Sequence, residues 1–468
     1  MSDTPLAEVL ATIDQRRDAS LAQLKEFLAI PSVSTQPAHK GDMLKCAAWL
    51  SDHLREAGFA VRVEATPGHP VVLAKNDRRP GRPTVLVYGH YDVQPPEPLE
   101  LWESPPFEPT VRKTETGADA VYARGAVDDK GQVWAHVEAL TAWQAHGGLP
   151  VNVTLLIEGE EEIGSEHLEG FVLEHKAELA ADIAVVSDTN QFADGLPAIT
   201  YGLRGLCYAE VTVTGPDHDL HSGLYGGAVP NPANVLCEFV ASLHHPDGRV
   251  NLPGFYADVV ALTDQERGTW RQLPFSEKDF AASVGIPAGS GEAGYSSLER
   301  KWARPTCDVN GLTAGYQGVG AKTVIGSVAS AKVSMRLVPN QDPAKIQAAF
   351  EKALRDRLPS NVTHKVQWFG ASAPVLVPID SRPTRLAAEA LAIGFARPST
   401  FMREGGSIPV VGMLKRVLDL DTLLVGFGLP DDRVHSPNEK FNLSALHGGT
   451  RTAAALYAKL AELRGNAE

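Results

Sequence analysis

Apolar runs that stop on a histidine or a carboxylate recur along this chain. The first is Val85-Leu86-Val87-Tyr88, whose length and β-branched content are those of a buried strand. Gly89 ends it, and His90 and Asp92 follow. An imidazole at a strand end, with a carboxylate two residues on, suits a metal ligand and the group that orients it. It suits equally a buried histidine beside a surface acid. Residues 151–158 form a second apolar run, followed by Gly159-Glu160-Glu161-Glu162, and residues 183–186 a third, followed by Ser187-Asp188. Between these runs the spacing is helical. It holds over residues 5–30, ended by Pro31, over 41–57, ended by Gly58, and from 131 to about 143. Strands alternating with helices, with acids at the strand ends, predict an α/β domain whose ligands gather where the strands stop.

The texture changes after Tyr201-Gly202. A strand is expected over 206–214, a helix over 231–243, a strand over 331–337, a helix over 342–358 and a strand over 362–368. Strand, helix, strand repeated is the order of a small two-layer α+β domain with its helices on one face. It is placed at 204–382, inserted into a first domain made of 1–203 and 383–468. Residues 246–320, rich in glycine, proline and aromatics, carry no periodic signal. In the last segment, helical spacing over 385–395 precedes the glycine-rich Arg403-Glu404-Gly405-Gly406-Ser407. A strand over 422–426, a loop over 431–439 and a helix over 443–463 complete the chain. The expected class is α/β, a central mixed sheet flanked by helices, with the α+β domain inserted.

Composition narrows the function. A net charge of -14 argues against a nucleic-acid partner, which calls for a basic face. No apolar run approaches the roughly 20 residues that span a bilayer. Cys46, Cys207, Cys237 and Cys307 are too dispersed for a zinc knuckle or a redox pair, and reduced cysteines fit the cytoplasm. The N-terminus shows no basic segment followed by an apolar one, so a cytoplasmic location is expected.

Five candidate metal ligands stand at the ends of these elements: His90, Asp128, Glu162, Asp188 and His435. Each alone has a plainer reading. Asp128-Asp129 precedes a helix and suits an N-cap. Glu160-Glu161-Glu162 suits a solvated charge run, and Asp188 and His435 suit loop positions. Together they exceed the needs of one catalytic zinc, which takes three protein ligands and a water. They suffice for two ions if one carboxylate bridges, and paired ions roughly 3.5–4 Å apart are a recurrent hydrolytic device.

These stretches resemble the M20 metallopeptidases, and within them the dipeptidase branch that includes carnosinase-like enzymes. The likeness rests on Gly89-His90-Tyr91-Asp92-Val93-Gln94-Pro95, Arg124 to Gly131, Glu158 to Ser165, Asp188, and Tyr201-Gly202-Leu203-Arg204-Gly205. It continues in Asp219-Leu220-His221-Ser222-Gly223, Arg336 to Asn340, Arg403 to Ser407 and His435-Ser436-Pro437-Asn438-Glu439. The resemblance implies a peptidase of dipeptides or short peptides with two divalent ions, zinc first, manganese or cobalt also admitted. It implies His90 and Asp188 on one ion, Glu162 and His435 on the other, and Asp128 bridging, with Asp92 orienting His90. A cis Asp128-Asp129 peptide is often found in the family. Glu161 is then the general base, His221 the oxyanion partner acting across a homodimer, Arg336 the carboxylate anchor and Glu404 the ammonium anchor. Gly406 and Ser407 line the pocket, and the inserted domain is the lid and dimerisation domain. Asn190 departs from the aromatic group that some family dipeptidases carry there. The same site would serve a deacylase of N-acyl amino acids or a carboxypeptidase.

Overall fold

A computed structural model describes residues 4–463. The chain forms two compact units, one of residues 1–201, 377–402 and 413–468, the other of residues 202–376 and 403–412. The second unit therefore takes in the segment of Glu404, Gly406 and Ser407, which the expected boundaries of 204 and 382 left with the first.

The first unit is built on a mixed sheet. Its strands run in the order Ala60–Glu64, Val71–Lys75, Asn152–Glu158, Thr84–His90, Ile183–Val186, Thr422–Leu424 and Ala198–Leu203. The four central strands, Asn152–Glu158 to Thr422–Leu424, are parallel, and the pairings outside them are antiparallel. Every residue of Asn152–Glu158 is buried, as are residues 85–90, so both sheet faces are covered. Each Val, Leu or Ile so buried stabilises by about 1.5–3 kcal/mol. The register sets His90 opposite Glu158, and Tyr88 opposite Val186. The ends of three parallel strands thus come level, and the loops leaving them start from one edge of the sheet.

Helix Lys130–Ala145 packs against strand Thr84–His90 and helix Leu443–Leu460. It is buried over nearly its whole length. Two glycines permit this approach. A Cβ on Gly131 would lie 1.9 Å from the Ala126 carbonyl oxygen, and one on Gly89 would lie 2.5 Å from Val133 and 2.8 Å from Asp129. Lys130, fully buried, donates from Nζ to the Phe27 and Ile30 carbonyls at 3.1 and 2.7 Å. Its charge thereby meets carbonyls at the end of helix Arg17–Leu28. The periodic stretch over 5–30 is two helices, Thr4–Gln15 and Arg17–Leu28, divided at Arg16, which binds the buried Glu138 at 2.6 Å.

A three-stranded sheet that the sequence reading did not anticipate joins Lys440–Asn442, Asp119–Tyr122 and Thr110–Lys113. It lays the segment after His435 beside the segment before Asp128.

The second unit carries an antiparallel sheet in the order Thr306–Ala314, Val328–Leu337, Gly205–Thr214 and Thr363–Ser372. Strand Gly205–Thr214 alternates buried and half-buried residues along its length. Its inward residues, with Val333 and Met335, form a core with Leu236 and Phe239 of helix Pro232–Ser242 and Phe350 of helix Pro343–Arg357. This is the expected two-layer α+β arrangement. The unassigned stretch 246–320 holds three short helices, Asp264–Arg271, Glu277–Ser283 and Ser297–Ala303, before its strand. Capping boxes start the first and third, so local capping rather than an apolar period forms them. Among the described residues, no helix is long and apolar enough to cross a membrane.

Candidate metal centre

The loops at the strand ends of the first unit bring two donor groups together. One is His90, Asp128 and Asp188; the other is Asp128, Glu162 and His435. In each group the donor atoms lie within 4.8 Å of one another, and Asp128 belongs to both. His90 Nε2 lies 3.2 Å from Asp128 Oδ1. His435 Nε2 lies 3.0 Å from Asp128 Oδ2 and 3.1 Å from Glu162 Oε2. Asp128 thus offers one oxygen to each side. The peptide between Asp128 and Asp129 is cis.

Supporting contacts surround these groups. His90 Nδ1 is 3.1 Å from the Asp92 carbonyl and 3.3 Å from Asp92 Oδ1, which leaves Nε2 to face Asp128. The Asp92 carboxylate also accepts the Glu161 and Glu162 backbone N–H groups, at 3.3 and 3.1 Å. One buried acid therefore sets both the imidazole and the loop of the two glutamates. Gln94 Nε2 donates to Glu162 Oε2 at 2.8 Å. Asp129 occupies the N-cap position of helix Lys130–Ala145 without a capping bond. Its Oδ2 accepts from the His90 backbone at 3.3 Å instead. Glu160 is buried and bonded to His167 and to the His69 N–H. The plainer readings as a cap and a solvated run fail for these two acids.

The ionisable groups of the cluster perturb one another strongly. Burial drives Asp188 well above the usual carboxylate range, and the nearby Asp129 and Asp128 charges add to it. Burial raises Glu161 most, His90 counters it, and Glu162 and Asp128 raise it further, to about 8. Burial opposes ionisation of Asp128, but its hydrogen bonds to His435 and His90 outweigh this and hold it below the usual range. Hydrogen bonds to Asp128 and Glu162 lift His435 to about 10. Carboxylates packed this closely repel one another, and divalent ions relieve that repulsion. Imidazole and carboxylate donors of this kind suit divalent ions, so the donors fit a pair of such ions.

The remaining candidates lie in the second unit. Arg336 Nη1 donates to Ser407 Oγ at 2.8 Å, and Ser407 Oγ donates to the Arg204 carbonyl at 2.5 Å. Arg204 Nε reaches the Gly405 carbonyl at 2.9 Å, so the Gly405-Gly406-Ser407 turn is tied to both arginines. Burial lowers Arg204 to about 10, and the charge of Arg336 adds to this. Glu404 accepts from the Gly405 N–H at 2.9 Å. His221 is exposed at the start of a short helix, and its Nδ1 accepts from the Gly223 N–H at 3.0 Å. The sequence reading passed over Arg204, Gln94 and Glu439 as individual groups, although each stands inside a stretch it quoted.

Similarity to known proteins accords with this geometry. A model of peptidase family M20/M25/M40 matches residues 86–459. The Cys-Gly metallodipeptidase dug1 of Schizosaccharomyces pombe is 30% identical, over 98% of this chain and 99% of its own length. The Beta-Ala-His dipeptidase of Homo sapiens is 31% identical, over 98% of this chain and 93% of its own. The solved structure of the dipeptidase Dug1p from Saccharomyces cerevisiae matches with a TM-score of 0.86 at 29% identity, covering 98% of this chain and 99% of that one. The strand-end donors, the fold that carries them and a match across most of the chain make this protein a metallopeptidase belonging to peptidase family M20/M25/M40.

Proposed function

We propose that the protein is a dipeptidase that hydrolyses the peptide bond of dipeptides and short peptides at a two-ion centre. The observation that carries this reading is the pair of donor groups sharing Asp128. In this assignment His90 and Asp188 would hold one ion, Glu162 and His435 the other, and Asp128 would serve both. Asp92 fixes His90 through its second nitrogen. Zinc is the first choice of metal, with manganese and cobalt as alternatives. When bound, the ions supply Lewis acidity at the scissile carbonyl and lower the pKa of water.

Glu161 takes the proton of the attacking water and returns it to the leaving amine. Glu161 precedes the ligand Glu162 in the loop that Asp92 holds, which suits a general base beside the ion-held water. His221 donates to the oxyanion, Arg336 pairs with the substrate carboxylate, and Glu404 pairs with its ammonium group. Gly406 and Ser407 offer main-chain donors to the same substrate. The inserted domain serves as lid and dimerisation domain, His221 acts in the partner's site, and the enzyme is a cytoplasmic homodimer. The relatives named for Cys-Gly and Beta-Ala-His cleavage support dipeptides as the substrate class.

The test compares the chain with Glu161→Gln on dipeptides, tripeptides and N-acyl amino acids. The expected result is dipeptide turnover, lost by a factor of about 10²–10⁴ in the variant, with its metal content intact. Undiminished turnover by Glu161→Gln removes the base assignment. Turnover of N-acyl amino acids with none of dipeptides makes the protein a deacylase.

A further inference from the structure

We propose that Glu439 is the positioning residue that sets the Asp128 carboxylate for both ions, by clamping the backbone that carries it to the loop that carries His435. The proposal rests on the two-ion reading above and concerns a residue that touches no donor atom in either group.

Glu439 is fully buried, and both of its oxygens are filled by donors. Oε1 accepts from the Val127 and Asp128 N–H groups at 3.0 and 3.2 Å. Oε2 accepts from the Gly125 N–H at 2.9 Å and from Arg124 Nη1 at 2.8 Å. The Glu439 carbonyl adds a bond from the Ala123 N–H at 3.2 Å. One residue thus holds the chain from 123 to 128, up to the cis peptide that follows Asp128. Successive backbone N–H groups converging on one carboxylate form an anion nest, here filled by the protein's own side chain.

The other end of the clamp is equally fixed. Asp432 accepts from Lys440 Nζ at 2.6 Å, and its carbonyl accepts from the Lys440 N–H at 3.0 Å. Asn438 accepts from the Glu103 N–H at 2.9 Å and donates to the Leu101 carbonyl at 2.7 Å. In this loop Arg433, His435 and Asn438 all hold positive φ, at 57°, 60° and 64°, a conformation uncommon in non-glycine residues. Glu439 stands at the foot of this loop and grips the neighbouring one. Its charge is paired with that of the buried Arg124.

The requirement for a carboxylate is chemical. All four partners of the side chain are donors, and a glutamine would turn an NH₂ toward two of them. Asp128 belongs to both donor groups, whereas His435 belongs to one. Loosening Asp128 must weaken both ions, and removing His435 must weaken one.

The experiment is a calorimetric titration of the metal-stripped full chain with Co²⁺, followed also by its visible absorption. Wild type is expected to take two equivalents. Glu439→Gln is expected to bind both about 10–100-fold more weakly, the usual effect of losing a group behind the ligands, and His435→Ala to lose affinity for one. Both affinities unchanged in Glu439→Gln, or only one weakened, overturns the proposal, even if the variant is less stable to heat. Should Glu439→Gln fail to fold, Glu439→Asp, too short to reach both backbone segments, is judged by the same criteria. Fewer than two equivalents in wild type is a different failure, that of the two-ion reading itself.

Discussion

His136 shows how much a single side chain can set. It lies buried, with Nε2 2.8 Å from Oγ of Ser187, the residue before Asp188, and Nδ1 2.8 Å from the Tyr457 hydroxyl. Ser187 Oγ itself donates to the Val425 carbonyl, so it accepts from His136, and the imidazole is the neutral Nε2–H form. Burial pushes its pKa down to about 4. The sign of the consequence is definite. Below about pH 6.5 the unfolded chain binds a proton that the folded one refuses, so this histidine's share of stability is intact above 6.5 and is lost as pH falls toward 4. His136→Gln should make the pH dependence shallower by about 1.4 kcal/mol per pH unit over that window, read from urea unfolding at pH 7, 6 and 5. Parallel slopes for variant and wild type would show that His136 titrates normally. Burial favours the neutral form of an acid in the same way. Burial raises Glu158 to about 7, and its hydrogen bonds from Tyr88 and Ser165 only partly offset this.

At the scale of elements, each unit has a hub. In the second, Phe350 of helix Pro343–Arg357 is fully buried. It meets Phe239 of helix Pro232–Ser242 edge-on at 5.8 Å and Trp368 of strand Thr363–Ser372 edge-on at 5.9 Å. One ring thus joins both helices to the sheet. Phe350→Ala should cost about 3–5 kcal/mol, seen as a lower urea midpoint for the transition of this unit; a loss under 1 kcal/mol would place the joint elsewhere. In the first unit the hub is helix Lys130–Ala145, packed against a strand and against helix Leu443–Leu460. Its near-complete burial explains why Gly131 and Gly89 have no room for a side chain.

At the scale of the molecule, closely packed buried acids make the first unit's stability a function of its ions. On the two-ion reading, an ion at 100 times its Kd adds about 2.7 kcal/mol. Chelation should therefore lower Tm in a calorimetric scan, and zinc, manganese or cobalt should restore it. An unchanged Tm after both ions are stripped would contradict that linkage. The sequence by itself determined the alternation of strands and helices in the first unit, the two-layer order of the second and, through its motifs, the family. These follow from local periodicity and from residues whose chemistry is their own. The short strands Lys440–Asn442 and Thr110–Lys113 were not legible, because three or four residues, mostly polar, carry no period. Neither were the capped helices of 246–320. Only the tertiary structure decided which strands lie side by side and how near the donors on the two sides of Asp128 come to one another. It alone placed residues 403–412 with the second unit and set Glu439 beneath the loop of Asp128. Apolar burial has no direction and is satisfied by many arrangements, whereas a shared carboxylate needs partners drawn from opposite ends of the chain, a requirement met only once the whole fold is closed.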